Sequence, residues 1–117
     1  MSASHAPALG ALAFQLAAAL DACEQDVAAM VRARFDPELY LRVSRRMDEM
    51  RLCAAALPSI SVARVEVTIR HFELLHGIWK GVQHPEADPA EVQALHAELR
   101  TAVQRLSRKC VQLMPAA

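Results

Sequence analysis

The sequence predicts an all-α protein, an up-down-up-down antiparallel four-helix bundle. Three observations predict it: four stretches carry apolar residues at alternating spacings of three and four, Asp-Pro pairs open two of them, and the tracts between them are short. Such spacing lines one stripe of a helix, and short connections leave successive helices as antiparallel neighbours. At 117 residues the chain reads as one domain, large enough for a core and small enough that a dimer adds to its stability.

In the first stretch Leu9, Ala13, Leu16, Leu20, Cys23, Val27 and Met30 form a seam, which predicts a helix over about 7–33. Asp36-Pro37-Glu38 then acts as a start signal. The aspartate accepts from unpaired amides, proline loses no hydrogen bond at the first helical position, and glutamate suits the positive end of the helix. Tyr40, Val43, Met47, Met50, Ala54 and Leu57 continue as a second seam over about 37–57, which Pro58 ends. Glu38/Arg42 and Arg45/Glu49 stand at the spacing of exposed ion pairs. Ser59 or Ser61 is placed to cap a third helix over about 60–81. Asp88-Pro89-Ala90-Glu91 repeats the start signal, and Val92, Leu95, Leu99, Val103, Leu106, Cys110 and Leu113 give a fourth helix over about 89–113.

The third stretch carries the single tryptophan and two of the five histidines. At about 100° per residue, Val62, Val65, Ile69, Phe72, His76 and Trp79 form one stripe. Ile60, Val67, His71, Leu74 and Ile78 form a second, roughly opposite. Glu66, Arg70, Glu73, Gly77 and Lys80 leave one polar strip, so the apolar arc spans roughly 220° against the ~100° or more of an ordinary surface helix. One bundle core accounts for a single stripe from each helix, and this helix has one to spare. Each Ile, Val or Leu left in water there forgoes about 1.5–3 kcal/mol. The same residues admit an alternative, because Ala63, Val65, Val67 and Ile69 alternate with Arg64, Glu66, Thr68 and Arg70, the period of a half-buried strand over about 62–70. A lone strand must pair with its copy in another chain, as in dimeric ribbon-helix-helix DNA-binding folds.

Apolar residues make up 54% of the chain and aromatic residues 4%, which suits close helix packing and argues against an aromatic-lined nucleic-acid surface. Thirteen basic and thirteen acidic residues cancel, so no net field steers the chain to nucleic acid or an acidic membrane. Eleven of the thirteen basic residues are arginine, which points with the abundant alanine to a GC-rich bacterial genome. Cys23, Cys53 and Cys110 lack metal-type spacing and read as buried thiols. The first basic residue is Arg32 and Gln15 interrupts the apolar run from Ala6 to Leu20, so a cytoplasmic location is expected, not export. No stretch is apolar and long enough to span a bilayer.

Two motifs carry candidate chemistry. Glu73-Leu74-Leu75-His76 resembles the Glu-x-x-His pair of di-iron carboxylate bundles, but Gln93-Ala94-Leu95-His96 on the fourth helix has an amide where the second ligand set needs a carboxylate. No metal or cofactor is therefore expected. His76-Gly77-Ile78-Trp79-Lys80-Gly81 resembles the His-x-x-Lys-Gly stretch of histidine phosphotransfer domains, which are four-helix bundles of about this length. That resemblance implies a phosphoryl-accepting His76 with Lys80 one turn away, and this chain has one residue more between them. There is no Gly-rich phosphate loop, nucleophile elbow or Ser/His/Asp cluster, so no catalytic residue is nominated.

The leading expectation is a non-enzymatic protein-interaction module, a small adaptor, chaperone or regulatory subunit, that acts through Ile60, Val67, His71, Leu74 and Ile78. The expected partner is a second copy, then a heterologous protein; a membrane is not expected, and nucleic acid only with the strand alternative. On this expectation Val67→Asp weakens association, followed by light scattering coupled to size exclusion, and barely disturbs the core.

Overall fold

The computed structural model describes residues 2–33 and 36–114, with residues 2–7 as backbone alone. Its helices are α1 (Ser2–Ala33), α2 (Pro37–Ala54), α3 (Ser61–Gln83) and α4 (Pro89–Leu113), with a 3₁₀ turn at Pro58–Ile60 between α2 and α3. They form the all-α four-helix bundle that the apolar spacing predicts. Among the described residues there is no strand, and 62–70 lie within α3. The strand alternative is overturned. A helix satisfies its backbone amides and carbonyls within the segment, whereas a lone strand leaves its own unpaired.

Asp36 and Asp88 cap α2 and α4, each side chain accepting from the amide two residues on, Glu38 N at 2.9 Å and Ala90 N at 3.0 Å. α2 stops at Ala54, short of the expected end, because Pro58 disfavours a helical Leu57; the Leu57 amide turns back to the Ala54 carbonyl at 2.9 Å. Neither serine caps α3. Ile60 occupies the cap position without a side-chain bond, while Leu57 and Ile60 are both buried. α3 passes through Gly81 and ends at Gln83, where the His84 amide reaches the Lys80 carbonyl at 2.8 Å.

α1 packs along both α2 and α4, α3 packs along α4, and α2 and α3 meet only sparsely. The result is a rod of 58 × 23 × 22 Å. α1 sets its length, since 32 residues run about 48 Å at 1.5 Å per residue. Leu16, Leu20 and Met30 of α1, Val43 of α2, Leu74 of α3, and Leu106 and Cys110 of α4 are the fully buried heart of the core. The expected partners along α2 are exchanged: Arg42 and Arg46 both reach the Asp26 carboxylate of α1, at 3.6 and 3.7 Å, and Glu49 lies 3.9 Å from Arg46. Gly77 lies directly against α4, where a Cβ would lie 2.5 Å from Leu95 Cδ1.

Leu74→Ala is expected to cost about 2–5 kcal/mol by loss of burial plus cavity formation, whereas Val62→Ala on the exposed side of the same helix stays within about 0.5 kcal/mol. Urea denaturation followed by circular dichroism measures both, and equal losses would contradict this description of the core.

Candidate functional site

Charged side chains set the rotation of α3 about its own axis. Glu66 accepts from Arg105 at 2.7 Å, Arg70 lies 3.5 Å from Glu98 and 3.2 Å from Glu73, and Lys80 lies 3.6 Å from Glu91. The polar strip of α3 therefore runs along α4, part-exposed at the edge of their contact. With that rotation Ile60, Val67, His71, Leu74 and Ile78 turn into the bundle, each at 5% exposure or less. These five were expected to be the partner face; they are the α3 contribution to the monomer core. Val67→Asp would place a carboxylate there without a partner, so it is a folding mutation and not an interface mutation.

The opposite stripe is the exposed one. Val62, Val65, Ile69, Phe72 and Trp79 are between 44% and 83% exposed, and His76 between them is exposed as well. From Val62 to Trp79 the row extends about 26 Å, and at a helix width of ~10–12 Å it presents roughly 300 Å² of apolar face. Patches of that size on a monomer are often functional. The spacing of apolar residues reveals this stripe, which the expected partner face at Ile60 to Ile78 would leave to the core. A signal for the right assignment was present: Glu91, Glu98 and Arg105 recur at seven-residue spacing on α4, opposite Lys80, Arg70 and Glu66 on an antiparallel neighbour.

Behind the stripe lie one buried and one part-buried histidine. His71 is 3% exposed and its Nδ1 has no hydrogen-bond partner, nor has Nε2 of His96 on α4. Both rings line a cavity of about 10 Å³ together with Cys23, Glu24 and Arg100. That is about the space of one water. Burial pushes the His71 pKa down to about 4. Burial also lowers that of His96, aided by Arg100 and opposed by Glu24. Burial, reinforced by Asp26, pushes the Cys23 thiol up to about 11, and burial raises Cys110. Both thiols stay protonated near neutral pH and are poor nucleophiles.

His76 and Lys80 are exposed one turn apart, with Lys80 held by Glu91. Glu73 is paired with Arg70. Among the described residues no three His, Cys, Asp or Glu side chains converge in a way that could hold a metal ion. An open cleft of about 340 Å³ lies at one end of the bundle between Arg32, Ile78, Val82 and Val92, lined by charges of both signs. No helix among the described residues is long and apolar enough to cross a membrane. Comparison with protein-family models, curated proteins and solved structures found no match.

His71 takes up a proton near 6.5 when unfolded and near 4 in the fold. Between these values the unfolded chain binds more protons, so stability rises with pH. About 3 kcal/mol is fully present above pH 6.5 and lost as pH falls towards 4. Urea midpoints across that window should show this slope, and His71→Leu should flatten it; a slope that survives the substitution assigns it to other groups.

Proposed function

We propose that this chain is a non-enzymatic interaction module, a small adaptor, chaperone or regulatory subunit, that works by docking the exposed stripe of α3. The observation that carries this reading is the row of Val62, Val65, Ile69, Phe72 and Trp79, exposed on a helix whose other stripe already fills the core. A helix that serves only its own bundle needs one apolar stripe. Covering a second removes apolar side chains from water at roughly 25 cal/mol per Å². The deeply buried thiols of Cys23 and Cys110, both free, suit a reducing compartment such as the cytoplasm.

Ile69→Asp tests the reading, because it charges the stripe without entering the core. The parent should associate as its concentration rises, with the emission of Trp79 moving to shorter wavelength. The variant should remain a folded monomer by circular dichroism and light scattering. Undiminished association in the variant would remove the stripe from the contact surface.

One observation favours a second reading, histidine phosphotransfer: the ring of His76 is exposed, as a phosphoryl acceptor must be, with Lys80 one turn away. Labelled acetyl phosphate should then leave an acid-labile label that His76→Gln abolishes, and an unlabelled parent chain ends that reading.

A further inference from the structure

We infer that the occupant of the α3 stripe is a second copy of this chain, docked antiparallel about a two-fold axis between Ile69 and Phe72; the inference rests on the stripe being an association surface. Its first support is a difference of size between the two halves of the row. Val62, Val65 and Ile69 are aliphatic and occupy one half, and the ring-bearing Phe72, His76 and Trp79 occupy the other. A parallel pair would stack tryptophan on tryptophan at one end and valine on valine at the other, a wedge that no single interhelical distance fills. Reversing one copy matches Val62 with Trp79, Val65 with His76 and Ile69 with Phe72. Every layer then holds one smaller and one larger residue, and the helix axes stay evenly spaced.

The spacing agrees with this arrangement. The six positions alternate by three and four residues, and the row is unchanged on reversal about its midpoint. Antiparallel helical pairs close through such layers. The flanks choose the same orientation. On one side of the stripe stand Ser61, Thr68, Leu75 and Val82, on the other Glu66, Glu73 and Lys80. Antiparallel packing sets each flank against its own kind, so Thr68 meets Leu75 and Ser61 meets Val82 of the second copy. Parallel packing would press Leu75 and Val82 against the charged flank.

Charge and area fit a second copy as well. Glu66 and Glu73 approach each other across the antiparallel pair, but each already has an arginine of its own, Arg105 and Arg70. The stripe has no carboxylate, lysine or arginine, and basic and acidic residues balance over the chain, so two copies meet without net repulsion. With the flanking residues, two such faces bury on the order of 1,000 Å², at the lower edge of specific interfaces and in keeping with micromolar association.

Cysteine cross-linking tests the orientation in a Cys53→Ser background, which leaves only the two buried native thiols. Val62→Cys and Trp79→Cys chains, one of them isotope-labelled, are mixed under mild oxidation with oxidised glutathione and read by mass spectrometry. The expected product is the mixed disulfide, at least tenfold over either homodisulfide. A dominant Val62→Cys homodisulfide would overturn the antiparallel arrangement while leaving the stripe as an association surface. If the parent associates and neither pairing forms, the second copy sits elsewhere and the inference fails. A parent that is monomeric at every concentration overturns the second copy as occupant, and the Ile69→Asp comparison then loses the association it was to abolish.

Discussion

The ladder of charges between α3 and α4 is the constraint on which the arrangement of this bundle depends. α3 has two apolar stripes on opposite sides, and burial alone favours turning either one inward. Glu66, Arg70 and Lys80 meet Arg105, Glu98 and Glu91 only when the stripe of Val67 and Leu74 faces the core. Each half-exposed pair contributes no more than about 1 kcal/mol, so the ladder does not hold the bundle together. It decides between two rotations of similar apolar burial, where a small difference is enough.

Packing points the same way. Ala63 and Gly77 lie beside the inward stripe, and both are buried. Their small size lets α3 settle close to α4, with Leu95 against the bare Cα of Gly77. Phe72 and Trp79 in the same place would hold the two helices apart, and a narrow interior of Ala, Leu, Val and Met has no room to interleave them. The cost of this choice is His71, which enters the core with an apolar set and is held neutral by burial. Its ring lines a small cavity together with that of His96, so polar groups of α3 and α4 meet there.

The outcome is a helix with two apolar stripes in different surroundings. Its inner stripe is part of a core that one chain completes by itself, and its outer stripe is bulkier, more aromatic and exposed. A bundle only 22–23 Å across has little interior for its surface, so the exposed stripe would add most to stability if it were covered from outside. An interaction built this way needs no loop rearrangement, because the contacting residues sit on a helix whose position the core and the charge ladder already determine.

Local signals determined the helices. Asp36-Pro37 and Asp88-Pro89 place two helix starts to the residue, since capping and proline act within one turn. The three-and-four spacing determined that there are four helices and which stripes are apolar, and it overrode the short alternating run at 62–70. It also showed that α3 carries one stripe too many. Which stripe that is, only the tertiary structure decided. Periodicity describes a helix about its own axis, whereas burial depends on where the neighbours stand, and the face that α3 turns to α4 involves pairing between residues some forty apart such as Glu66 and Arg105. The same holds for Asp26, whose guanidinium partners come from α2, and for His71 and His96, which meet at one cavity from separate helices. Spacing along a chain carries no information about such encounters until the helices have been turned to face one another.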